Sequence, residues 1–270
     1  MKLFTTASIL CLATLAACGH ENAPLAPPMV LPAAPDAGPA LASPRVDIVI
    51  DARGTRLSDS DTVLVPAGSD PARGADAAYK RSGPNDLYLV PLVEPMRRAL
   101  ADKTMTLPVR VVADERTPYR TLLEALFTAG QNEVSEFELC EKRCELRSFS
   151  FRPPSLKDQR LPSLDRPTFS FSVIIVADGF LVKAMGASVG PGCDGIGRGI
   201  TIPRAAGAID VAALERCAAK LRAKDAAFAD DPLATLSANG EIPFHDVMDA
   251  ALALRGKVAA FRELWLAVPR

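Results

Sequence analysis

Val109-Arg-Val-Val-Ala113-Asp-Glu-Arg-Thr-Pro118-Tyr-Arg-Thr-Leu-Leu-Glu-Ala-Leu-Phe-Thr-Ala-Gly130 is the stretch on which the fold turns. Val109, Val111 and Val112 form a β-branched run suited to a strand. Thr117 then offers a cap, and Pro118 a first-turn proline whose missing N–H costs nothing. Tyr119, Leu122, Leu123, Leu126 and Phe127 recur at i, i+3, i+4, i+7 and i+8, which is one apolar face at the helical period. Gly130 reads as a left-handed stop. Beyond a short polar loop, Val134, Phe137 and Leu139 predict a strand returning to the same sheet.

The pattern occurs twice. Ala238-Asn-Gly-Glu-Ile-Pro243-Phe244, followed by Val247, Met248, Ala251 and Leu252, aligns Ala238 with Ala113, Pro243 with Pro118 and Phe244 with Tyr119, at one spacing of about 125 residues. The same spacing relates Val46-Asp-Ile-Val-Ile-Asp-Ala-Arg-Gly54 to Phe171-Ser-Val-Ile-Ile-Val-Ala-Asp-Gly179, each an alternating strand that runs into a glycine turn. A tandem duplication follows from these paired registers. The order of strand, Ala-Asp, Pro-aromatic, helix, Gly and strand resembles the periplasmic domain of the ExbD/TolR family, the sensor and anchor subunits of proton-driven envelope motors. This resemblance implies a module that meets partner proteins or peptidoglycan, in a system concerned with transport across the envelope. The family's proton-coupling carboxylate lies in an N-terminal membrane helix. Here Leu3 to Ala17 holds no Asp or Glu, so no proton channel is expected from this chain.

Each unit is expected to be β-β-α-β-α-β, with two helices on one face of a small sheet, placing the chain in the α+β class. The first unit spans 45–144 and the second 169–270, joined by a linker at 145–168 that carries Pro153, Pro154, Pro162 and Pro167. Within the units, the polar stretch 59–86 is matched to the glycine-rich 186–199, and strands are predicted at Tyr88–Val90 and Ile200–Ile202. Helices are predicted over Leu92–Ala101, with Pro95 in its first turn, and from an Asp210 cap through Val211, Leu214, Ala218 and Leu221.

Lys2 followed by the short apolar run Leu3 to Leu15 reads as an export signal, too short for a permanent membrane span. Leu15-Ala16-Ala17-Cys18 matches a bacterial lipoprotein box, which makes 1–18 the signal and Cys18 the lipidated residue. Residues 19–44 contain Pro24, Pro27, Pro28, Pro32, Pro35, Pro39 and Pro44 among alanines, the composition of an extended tether. Similarity to other lipoproteins implies that Gly19 directs the anchored protein to the outer membrane of a Gram-negative envelope, facing the periplasm. Once Cys11 and Cys18 are set aside, Cys140, Cys144, Cys193 and Cys217 remain, an even number in an oxidising compartment. Three pairings exist, and locality favours Cys140–Cys144 with Cys193–Cys217.

A net charge of −1 argues against nucleic acid. Two histidines in separate segments, His20 and His245, argue against a metal site, and no cofactor is expected. Gly186-Ala-Ser-Val-Gly190 spells a nucleophile elbow and Gly190-Pro-Gly-Cys-Asp-Gly195 a dinucleotide loop. Neither is followed by the helix that chemistry needs, so no catalytic residue is assigned and no enzymatic activity is expected. The candidates for partner binding are Asp114, Glu115 and Arg116 in the first unit and Asn239 and Glu241 in the second. Asp114 and Asn239 equally suit local turns that end strands. The expected partner is an envelope protein, such as a motor or energy-transducing component. Peptidoglycan binding is the alternative.

Overall fold

Alternation of buried and half-buried residues builds the first sheet. In the computed structural model, which describes residues 45–101, 108–142, 144, 147–151, 169–224, 228 and 231–268, strand β1 (Asp47–Asp51) buries Ile48 and Ile50. It turns back on β2 (Gly54–Leu57), with Asp51 opposite Gly54 and Ile50 opposite Thr55. A short edge strand, β3 (Val65–Pro66), closes that side. Helix α1 (Val90–Ala101) leads to β4 (Val109–Ala113), and α2 (Tyr119–Gly130) to β5 (Phe137–Glu141). Strands β1, β4 and β5 run parallel, as helical crossovers require. Strand β6 (Ser148–Phe151) returns antiparallel to β5, and the order across the sheet is β3-β2-β1-β4-β5-β6.

The second sheet contains β7 (Phe171–Val176), β8 (Gly179–Ala184), β9 (Ala187–Ser188), β10 (Ile202–Pro203), β11 (Leu233–Ala238) and β12 (Glu263–Leu266). Helices α3 (Val211–Arg222) and α4 (Phe244–Arg255) precede β11 and β12. Its order is β10-β8-β7-β11-β12, with β9 beside β8. The chain is thus α+β, with two six-stranded mixed sheets and four helices among the described residues, and the described residues form one compact unit. Both sheets share their central register: Ile50 lies beside Ala113 and Ile175 beside Ala238, while Ile50 opposes Thr55 and Ile175 opposes Phe180. The glycine turns coincide because each edge strand crosses very close. A Cβ on Gly54 would fall 2.1 Å from the Val65 carbonyl oxygen, and one on Gly179 2.1 Å from that of Ile202.

Several sequence expectations change. The β-β-α-β-α-β order is extended in each half by an edge strand, β3 or β10, and further by β6 in the first and β9 in the second. Tyr88–Val90 is not a strand, since Leu89 makes only a bridge to Lys80 and Val90 already belongs to α1, which leaves Pro95 inside the helix. The counterpart of β10 is Val65–Pro66, because Gly54 opposes Pro66 as Gly179 opposes Pro203. The two long excursions therefore do not correspond. One follows the edge strand in the first half and the other precedes it in the second, so the common spacing is restored only at β4 and β11. Part of the expected linker is β6, whose Phe149 and Phe151 are buried, the latter stacked on Phe137 with ring centres 5.5 Å apart. Most of 145–168 lies outside the described residues, as do Cys18 and 19–44. Pro118 and Pro243 are the N-caps of α2 and α4 rather than first-turn residues, both in extended backbone. Gly130 stays within α2, and the left-handed residue is Glu133, at φ 65°. Asp210 caps α3 as expected, its carboxylate accepting from the Ala213 N–H at 2.8 Å.

The excursion at 67–88 is held to α2 by a buried ion pair. The Lys80 ammonium lies 2.7 Å from the Glu124 carboxylate, and both side chains are fully buried. Glu124 also accepts from Arg120 Nε and from the Ala75 N–H, each at 2.9 Å, while Lys80 Nζ donates to the Arg73 and Pro84 carbonyls. Removing one partner of such a pair strands the other charge in the interior. Glu124→Leu should therefore lower stability by roughly 3–5 kcal/mol in urea unfolding, whereas Arg97→Ala, which breaks an exposed pair with Glu94, should cost less than about 1 kcal/mol.

Candidate functional site

The loops before α2 and α4 bring the two halves together. A helix begins with N–H groups that have no partner inside the helix, and here the other half supplies the acceptors. The Tyr119 N–H donates to the Ile242 carbonyl at 2.8 Å, and the Phe244 N–H to the Thr117 carbonyl at 2.7 Å. The Arg120 N–H donates to the Gly240 carbonyl at 3.0 Å, and the His245 N–H to the Glu115 carbonyl at 2.9 Å. Pro118 and Pro243 face each other as an antiparallel bridge at the centre. Each bond has its mirror in the opposite direction, which defines a local two-fold relation between the halves. Pro118 and Pro243 suit this place because proline fixes the extended approach and has no N–H to leave unsatisfied.

Around that centre the residues diverge. The buried Tyr119 ring reaches into the second sheet, where its hydroxyl donates to the Ala267 carbonyl at 2.9 Å. Burial pushes the phenol's ionisation well above its ordinary range. Its counterpart Phe244 is also fully buried and has no hydroxyl to satisfy. On α4, His245 Nδ1 lies 2.7 Å from Glu141 and Nε2 3.3 Å from Asp249. Arg147, ahead of β6, meets Glu141 at 2.7 Å and also pairs with Asp249. This four-charge cluster clamps the end of the first sheet onto the second half. Sequence spacing makes Arg120 the counterpart of His245, but nothing in it indicated Glu141 or Arg147 as partners.

The partner-binding candidates fall around the same junction. Asn239 donates its N–H to the Ile175 carbonyl, as Asp114 does to that of Ile50, so both end their strands as turn residues. Glu241 is exposed, and Gly240 between them packs so tightly on the 67–76 loop that a Cβ would lie 2.4 Å from the Ala72 oxygen. Asp114, Glu115 and Arg116 do more, because they also edge a cleft of about 420 Å³ at the C-terminal ends of β1 and β4. Its walls include Ile50, Thr55, Val65, Leu89, Thr117 and Lys142. Ligands of sheets with parallel strands favour such strand ends.

Both expected disulfides are formed, Cys140–Cys144 at the end of β5 and Cys193–Cys217 between the glycine loop and α3. Among the described residues, no group of three His, Cys, Asp or Glu side chains is arranged to hold a metal ion, and no helix is long and apolar enough to cross a membrane. No protein-family model matches this chain, and neither does any curated protein or solved structure.

The charge cluster makes the junction sensitive to pH. The hydrogen bond to Glu141, aided by the charge of Asp249 and opposed by partial burial and Arg147, raises the His245 pKa above 6.5. A raised folded-state value means that this contribution is fully present below about pH 6.5 and is lost as the pH rises through the folded value. Thermal midpoints should therefore fall between pH 6 and pH 8 in the wild type, and by less in His245→Gln. Parallel profiles for the two proteins would contradict this assignment.

Proposed function

We propose that this chain is a non-enzymatic envelope lipoprotein made by tandem duplication of an ExbD/TolR-like domain, acting as a periplasmic protein-binding adaptor in transport across the envelope. The observation that carries the duplication is the reciprocal exchange of N–H and carbonyl groups at Pro118 and Pro243. Such an exchange is what a two-fold dimer interface looks like when both copies lie in one chain. Covalent linkage keeps even a weak pairing occupied, since the second copy is always present at high effective concentration.

Duplication also frees the halves to diverge, so one can keep the pairing while the other meets a partner. The exposed Glu115 and Arg116 on the junction, with Glu241 across it, are the surface assigned to that partner. Anchoring through Cys18 and the tether 19–44 would place this surface in the periplasm. A photo-crosslinking residue introduced at 115, 116 or 241 in cells should yield a discrete adduct with an envelope protein, and the yield should drop in Cys18→Ser. Adducts no different from those at exposed position 97 would refute the adaptor reading, and capture of peptidoglycan instead would replace it.

A further inference from the structure

We infer that the cleft of the first half is a binding site for a short zwitterionic peptide with an aliphatic side chain, a site that the second half has filled in. The inference depends on the structural correspondence of the halves and not on the adaptor reading. Four positions carry it. Thr55 and Phe180 share a place, since each opposes the fifth residue of the matched alternating stretch, Ile50 counted from Val46 or Ile175 counted from Phe171. Thr117 and Ile242 share another, each accepting the helix N–H of the opposite half. Ala67 follows Pro66 as Arg204 follows Pro203, and their N–H groups donate to the matched carbonyls of Arg53 and Asp178. Thr121 and Asp246 both stand two residues after the paired aromatics Tyr119 and Phe244.

In the second half these places hold bulk. Phe180 and Ile242 are buried, and Arg204 reaches across to Asp246 at 2.6 Å while also donating to the Ala177 carbonyl at 2.7 Å. In the first half the same places hold Thr55, Thr117, Ala67 and Thr121, all lining the cleft. A fold that packs Phe, Ile and an Arg–Asp pair here has no need of a void, and an interior void forfeits packing contacts. The cleft therefore belongs to the first half, where these smaller residues stand and where the excursion after β3, through Pro71, Gly74 and Ala75, adds a wall.

Its chemistry indicates the ligand. Thr55 and Thr117 are only 1% and 5% exposed, yet their hydroxyls form no hydrogen bond with the described residues. Neither hydroxyl oxygen is among the fully buried atoms that lack a partner, so both stay open to solvent where these residues line the cleft, available to an amide or carboxylate. Ile50, Val65 and Leu89 are buried and give an apolar floor suited to an aliphatic side chain. On the rim, Glu115 and Arg116 are exposed and make no ion pair with the described residues. One unpaired charge of each sign suits an ammonium and a carboxylate together, and would repel one end of any ligand carrying a single sign twice. A volume of about 420 Å³ lies within the range of small-ligand pockets.

The test uses the full chain in detergent and the dipeptide leucyl-leucine, followed by saturation-transfer NMR and titration. Leucyl-leucine should bind, with saturation strongest on its methyl groups. Its N-acetyl amide, which lacks both charges, should bind at least about fivefold more weakly. Thr55→Phe combined with Thr117→Ile reproduces the packing of the second half and should weaken binding by about tenfold or more while the thermal midpoint holds. If that double variant does not fold, Glu115→Gln with Arg116→Gln replaces it, and should remove the preference for the charged dipeptide. Absence of binding by the folded wild type at millimolar dipeptide, or equal binding by wild type and variant, would overturn the inference. Adduct formation at the junction does not bear on it, so the two readings fail separately.

Discussion

Four hydrogen bonds between backbone groups, exchanged two by two across Pro118 and Pro243, are the constraint on which the rest of this structure depends. The first turns of α2 and α4 leave N–H groups that must be satisfied, and neither helix has a side-chain cap. Each half lacks an acceptor of its own at this place and uses the carbonyls of the other. The junction thus completes two helices at once. Side chains then fill around it, with Tyr119 crossing into the second sheet and Phe244 buried opposite.

The two halves differ at matched positions of α2 and α4. Arg120 and Glu124, four residues apart, hold the excursion at 67–88 through Lys80. His245 and Asp249, also four apart, hold Glu141 and Arg147 from the other half. One cation–acid geometry is turned inward in the first half and across the junction in the second. In the first clamp the Lys80–Glu124 pair is fully buried, with Arg120 at its edge. The second is partly exposed and contains a histidine, which ties the strength of the junction to pH. The cleft follows the same logic, open where threonines and alanine stand and filled where Phe180, Ile242 and Arg204 stand.

Much of the fold was readable from local patterns that recur at one spacing of about 125 residues. The valine run and the apolar face that begins at Tyr119 indicate strand β4 and helix α2, the recurring Pro-aromatic pair marks where α2 and α4 start, and local spacing pointed to both disulfides. What escaped was set by contacts distant in sequence. Val65–Pro66 is too short to show strand periodicity and exists only because Gly54 lets it cross closely. Ser148–Phe151 lay among prolines, and its pairing with β5 depends on Phe137. Of the candidate site residues, Asp114, Glu115 and Arg116 stand on the cleft, but Thr55, Thr117 and Lys142 come from other elements. The threonines have no sequence signature, because only the structure shows their hydroxyls on the cleft without a hydrogen bond to the described residues.

Native-state hydrogen exchange at Tyr119, Arg120, Phe244 and His245 tests the central claim most directly, because these amides are the donors that join the halves. The paired junction predicts that all four are protected and lose protection together as denaturant is added, in one cooperative opening. Exchange at rates typical of exposed loops, or loss of protection by one pair while the other remains closed, would contradict it.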